Sequence, residues 1–208
     1  MYKYFKAISN ILKNYKFYSL HVLFYEIIFY LLHEKKINQF EYLNSNFLSD
    51  SIPCPYFFLK KINKFTNDKK LEQMCDLGSG FGKILYYFGK IKKIKIDGIE
   101  YEKKIYLSSK SLENNEIKIF NDDILKFNFK KKKYDLFFLN DPLKNKLDLL
   151  SIILKIKKEY QNVYLIFINL DNEKKTIIFQ NLIMIKKFEI SKNKNIFFCK
   201  LIGAPTLY

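Results

Sequence analysis

The stretch CDLGSGFGK (75–83) closes a short strand-like run, Glu72 to Asp76, and leads into Ile84-Leu85-Tyr86-Tyr87-Phe88 at helical spacing. A strand that turns through glycines into a helix is the opening unit of an α/β sheet. Gly78, Gly80 and Gly82 alternate with other residues. Glycines so placed permit positive φ and let the backbone approach a ligand closely. The loop amides and the following helix N-terminus offer donors to an anionic or oxygen-rich group. Two nucleotide loops are excluded by spacing. The dinucleotide fingerprint needs G-x-G-x-x-G, but position 83 is lysine. A Walker loop needs G-x-x-x-x-G-K-[ST], whereas Gly78 and Gly82 lie four apart and Ile84 follows Lys83.

Downstream, strand and helix patterns alternate. Lys93 to Ile99, Ile117 to Phe120, Tyr134 to Leu139 and Val163 to Ile168 read as strands; Glu102 to Asn114 and Leu147 to Tyr160 read as helices. Five strands joined by crossovers predict a mainly parallel sheet covered on both faces. The end differs: Ile183 to Ile190 and Ile196 to Leu201, separated by the polar Ser191 to Asn195, predict an antiparallel hairpin. The fold class expected is a Rossmann-like α/β domain of seven strands over 67–208.

Residues 1–66 read as a helical extension capping that domain. Phe17 to Leu32 is apolar on nearly all sides, with Ser19, His21 and Glu26 as interruptions. It is shorter than the ~20 apolar residues of a membrane span and carries an ionisable group at its centre. A buried or half-buried helix is the expectation, with membrane-surface contact as the alternative. The pair Pro53 and Pro55 breaks the chain, and Tyr56 to Phe65 resumes at helical spacing.

The 208 residues carry a formal charge of +16, and all 37 basic residues are lysine. Arginine, the side chain that phosphate and base recognition uses most, is absent. Lys, Asn, Ile, Phe and Tyr are residues of A/T-rich codons, so genome bias with solvated lysine faces is the first reading of the charge, and a polyanion-binding face is the alternative. Three separated cysteines, Cys54, Cys75 and Cys199, form no C-x-x-C pair. That argues against a zinc finger or disulfide scaffold and for a reducing, cytoplasmic setting. No metal site is expected.

Ligands of open α/β sheets sit beyond the carboxyl ends of the strands. Three acidic residues fall there: Asp76 after the first, Glu100 after the second and Asp123 after the third. Glu100 is placed to accept from a ribose diol and Asp123 from an adenine amino group. A tight ligand-free turn explains the glycines alone, but not the ordered acidic trio.

These segments, with GIEYE (98–102), NDDIL (121–125) and YDLFFLNDPL (134–143), resemble class I S-adenosylmethionine-dependent methyltransferases. The resemblance covers residues 71 to 201 and includes the closing hairpin. It implies S-adenosylmethionine as cofactor. Asp76, Gly78, Ser79, Gly80 and Gly82 would hold its methionine part, Glu100 its ribose, and Asp123 with Ile124 its adenine. Asn140 and Asp141 would border the methyl group, and Tyr56, Asp141 and Pro142 are substrate-side candidates. Asp141 has a second reading, capping the loop before the Leu147 helix, and Tyr56 a second reading in packing. The P-x-P-Y segment 53–56 looks like that of uncharacterised bacterial members, and D-L-G-S-G-x-G like that of lysine-directed protein methyltransferases. Enzymes that methylate base amino groups carry [DN]-P-P-[YFW] after the fourth strand, but here Asn140-Asp141-Pro142-Leu143 offers no aromatic ring. A protein side chain or small molecule is therefore the favoured acceptor. A nucleic-acid acceptor and a non-catalytic binding protein are the alternatives. No catalytic base is named, and His21 and His33 read as packing or surface residues.

Overall fold

The computed structural model describes residues 9, 12–33, 39, 41, 49–191 and 193–201. Its centre is one seven-stranded sheet: β1 Gln73–Leu77, β2 Lys95–Glu100, β3 Ile117–Asn121, β4 Leu136–Leu139, β5 Val163–Ile168, β6 Ile183–Ser191 and β7 Lys194–Leu201. The strand order is β3-β2-β1-β4-β5-β7-β6. Strands β1 to β5 pair in parallel, and β7 runs antiparallel between β5 and β6. From β1 the chain steps outward through β2 and β3, then returns to lay β4 on the other side of β1. That reversal between β1 and β4 opens a crevice at their carboxyl ends.

Alternation along the strands feeds two cores. Leu136 and Phe138 of β4 face one side; Phe137 and Leu139 face the other. The first core is covered by helices α1 Ser19–Leu32, α2 Tyr56–Thr66 and α3 Lys83–Leu85, which continues as a π-helical segment over Tyr86–Ile91. Helix α4, Lys103–Ser109, adds Tyr106 to it. The second core lies beneath α5 Lys146–Glu159 and α6 Asn172–Asn181.

Val22 and Phe29 of α1 and Phe57, Phe58, Leu59 and Ile62 of α2 share the first core with Met74 and Phe138 of the sheet. Glu26 is the polar exception, and its placement explains it. One carboxylate oxygen accepts from the Tyr56 backbone N–H at the start of α2, and the other lies 2.6 Å from the Lys83 ammonium. The only acidic residue on α1 is thus the tie between the extension and the glycine loop.

Two features differ from the sequence reading. Helix α6 was not expected, because Ile177, Ile178 and Phe179 are contiguous rather than spaced along a face. Its N-cap was nevertheless readable: the Asp171 carboxylate accepts from the Lys174 N–H at 2.9 Å. The hairpin is also tighter, its strands reaching Ser191 and Lys194. Asn195, read as turn, is fully buried in β7, where its amide exchanges two hydrogen bonds with the Leu170 backbone at 3.0 and 2.9 Å.

Candidate functional site

The crevice beside β1 is lined by Asp76, Gly78, Ser79, Gly80, Glu100, Asp123, Ile124, Asn140 and Pro142, and it encloses about 810 Å³ of atom-free space, part of it open to solvent. Nine of the twelve residues singled out from the sequence thus meet in one cleft.

Asp76 ends β1 at 1% exposure, and neither carboxylate oxygen has a hydrogen-bond partner. Burial, with Glu100 close by, pushes its carboxyl up to about 8. The Ser79 hydroxyl is likewise buried and unpartnered. Buried polar groups left unpaired cost about 1–3 kcal/mol each, so a fold that keeps three such atoms at one cleft holds open a place for a donor.

Glu100 is treated differently. Its two oxygens accept from the Gly80 and Glu102 backbone N–H groups, each at 2.8 Å. Burial raises its carboxyl, while those amides pull the other way. The carboxylate is fixed in one orientation with acceptor capacity to spare, because each oxygen offers two lone pairs. Asp123 holds its own turn by accepting from the Leu125 N–H at 2.9 Å, and exposed Tyr101 flanks it at the cleft wall.

Left-handed backbone carries the loop: Gly78 and Gly80 have φ of 79° and 54°. A Cβ on Gly78 would stand 2.5 Å from the Pro142 Cβ, and one on Gly80 would stand 2.8 Å from the Ser51 hydroxyl. Side chains at either place would fill the cleft or displace its wall.

That wall is a strap from the extension. Ser49 N–H donates to the Pro142 carbonyl at 3.3 Å, and the Asn140 amide donates to the Ile52 carbonyl at 2.9 Å. Asn169 donates to Asn140 Oδ1 at 2.9 Å, so both ends of the Asn140 amide are held. Ser51, Pro53 and buried Cys54 complete this side; burial holds the Cys54 thiol well above the ordinary range. Lys83, 3% exposed, closes the floor with its ammonium on Glu26.

Three expected site residues lie elsewhere. Gly82 turns away from the cleft: a Cβ there would stand 2.5 Å from Leu112 Cδ1, so it serves the packing of α3. Tyr56 packs against the rings of Tyr25, Phe29 and Tyr87 at the start of α2, in tilted and edge-on contacts. Asp141 stands outside the lining with φ of 46° and pairs at 2.5 Å with buried Lys174. Helix α5 is capped by the Asn145 side chain, which accepts from the Leu147 N–H at 2.9 Å. The strap and Lys83 escaped sequence reading, although a carboxylate amid an apolar helix was itself a signal for a buried cation.

Comparison with known proteins bears on the fold. No family model matches the chain. Over 91 residues it is 34% identical to ribosomal RNA small subunit methyltransferase A of Wigglesworthia glossinidia brevipalpis, a match covering 43% of this chain and 33% of that relative. The chain thus matches about a third of the relative's length. Among solved structures, an RNA methyltransferase from Salinibacter ruber in complex with S-adenosyl-L-homocysteine superposes with a TM-score of 0.60 at 9% identity, covering 76% of this chain and 98% of that one. The N-methyltransferase NodS from Bradyrhizobium japonicum WM9 gives 0.56 at 12% identity, covering 71% and 94%. The StiE O-MT domain gives 0.55 at 14% identity, covering 69% and 74%. The fold is therefore that of class I S-adenosylmethionine-dependent methyltransferases, with a mostly parallel sheet and an antiparallel C-terminal hairpin. Neighbours of this fold include N-, O- and RNA-methyltransferases, so the fold leaves the acceptor open.

Proposed function

We propose that the chain is an S-adenosylmethionine-dependent methyltransferase whose donor lies in the cleft between β1 and β4. The observation that carries this reading is Asp76, a buried carboxylate with both oxygens unpartnered at the mouth of a glycine loop. The ammonium of a methionine moiety satisfies it, and the Ser79 hydroxyl finds a partner in the same group. Glu100, oriented by two amides, accepts from the ribose hydroxyls. Asp123 accepts from the adenine amino group, and Ile124 and Tyr101 provide apolar surface beside the base. Asn140 borders the reacting end, its amide pinned between Ile52 and Asn169.

S-adenosylmethionine, when bound, supplies a methyl group already activated toward direct displacement by a nucleophile. The protein's task is then alignment and exclusion of water. The strap over Gly80 narrows the cleft, and an amine acceptor needs only orientation and a pKa low enough to leave it neutral; its lone pair takes the methyl group and the product ammonium gives its proton to solvent.

A protein side chain or a small molecule is the favoured acceptor. The segment after β4 offers no ring to stack on an extruded base, and the strap narrows the approach. RNA is the second reading, supported by the partial likeness to a ribosomal RNA methyltransferase and by the charge.

Labelled methyl transfer from the donor into lysate fractions tests the proposal. Label that protease removes, or that stays in the small-molecule fraction, supports the favoured acceptors. Label removed only by nuclease selects RNA. Donor binding without any transfer overturns the enzymatic reading and leaves a binding protein.

A further inference from the structure

Helix α1 has a second face that the cleft does not use. Its buried side presents Ser19, Val22 and Phe29. On the opposite side Phe17 is 97% exposed, Leu20 75%, Phe24 60%, Ile27 58% and Leu31 74%. Steps of three, four, three and four align these five side chains in a single stripe. The stripe starts in the 3-10 turn Lys16–Tyr18 and runs the length of α1. Fourteen residues span about 21 Å, and five large apolar side chains exposed in one line along that length make a contiguous apolar strip.

Charge decides the occupant. Lys13, Lys60, Lys61 and Lys64 are exposed around the two extension helices. Their one acidic residue, Glu26, is already engaged by Lys83. The Lys60 ammonium sits 4.4 Å from the Tyr25 ring and Lys61 5.3 Å from that of Phe57, so each long stem covers an aromatic side chain. A second copy would bring two chains of charge +16 together along a seam of about two heptads, short of the three to four that sustain a coiled coil. An anionic bilayer meets both features at once: acyl chains take the stripe and headgroups take the lysines. No helix among the described residues is long and apolar enough to cross a membrane, which fits a helix lying flat.

We propose that the exposed stripe of α1, together with the exposed lysines of the neighbouring α2, docks the protein on an anionic phospholipid surface. This docking is independent of methyl transfer, because no stripe residue lines the cleft.

The test is co-sedimentation of the full chain with phosphatidylglycerol–phosphatidylcholine vesicles and with phosphatidylcholine alone. The wild type should partition to the anionic vesicles and release when salt is raised from about 0.1 M to about 0.5 M. Phe24→Glu with Ile27→Glu should lower partitioning at least tenfold while donor binding and circular dichroism stay unchanged. Should that pair not fold, Lys60→Ala, Lys61→Ala and Lys64→Ala together, all surface changes, should cut it on the order of tenfold or more. Absence of wild-type partitioning overturns the proposal. So does equal partitioning to both vesicle types, or a wild-type dimer in sedimentation velocity that the glutamate pair converts to monomer.

Discussion

The two walls of the cleft are built on opposite principles. On the β1–β2 wall, Asp76 and Ser79 carry unpartnered buried atoms, and Glu100 is braced by amides with capacity left over. On the β4 wall the polar side chain that lines the cleft, Asn140, is already engaged within the chain, with Ile52 and Asn169. The first wall waits for a ligand, while the second is a fixed frame joined to the extension. A donor site and an acceptor-side gate would differ in this way, because desolvated, unsatisfied groups repay their cost only when something binds.

Substitutions on the first wall should therefore act on donor binding, and those on the second on alignment. The largest effect is expected from Gly80→Val. A branched residue at φ of 54°, facing Ser51, should abolish donor binding in equilibrium dialysis while the circular dichroism spectrum is retained. Glu100→Ala should follow, with a loss of ~1.5–3 kcal/mol, roughly ten- to a hundredfold in affinity, since charged hydrogen bonds are removed. Unchanged affinity in both would erase the contrast between the walls.

Asp76→Asn sharpens it through pH. The carboxyl is raised from 3.8 to about 8 in the fold, so its neutral form is favoured there. The stability it confers is full below the unfolded value and is lost as pH rises through the folded one. Ligand-free wild type should thus lose stability relative to Asp76→Asn between pH 4 and 8, at up to about 1.4 kcal/mol per pH unit, measured by denaturant unfolding. Parallel curves for the two proteins would mean the carboxylate is solvated. The smallest effect on affinity belongs to Asn140→Ala: about 1 kcal/mol or less on donor binding, with a clearly larger drop in the transfer rate once the acceptor is in hand.

What the sequence made legible follows the same division. Asp76, Ser79, Gly80 and Glu100 belong to one strand–turn–helix–strand unit, where position along the chain dictates position in space. Asp123, at the end of β3, extends the same logic by one crossover. The β4 wall and the floor are made across long separations, Asn140 meeting Ile52 in the first and Lys83 meeting Glu26 in the second. No local pattern announces such pairs. The family resemblance implies a ligand role for Gly82 along with the rest of its loop, yet a Cβ there would meet Leu112 rather than the cleft. Tyr56 and Asp141 were placed by nearness in sequence to the right loops, and tertiary contacts drew both side chains elsewhere. Helix α6 was lost for a related reason: its apolar residues are bunched, and only its Asp171 cap marked the start.

The central claim is that Asp76 stands ready for a cationic group. Calorimetric titration with S-adenosylmethionine at pH 7, in two buffers of different ionisation enthalpy, tests it most directly. A carboxyl raised to about 8 is mostly protonated at that pH, so pairing with an ammonium should expel its proton. The account predicts one saturable site and release of close to one proton per donor bound, abolished in Asp76→Asn. Binding with no proton release, or no binding at all, would contradict it.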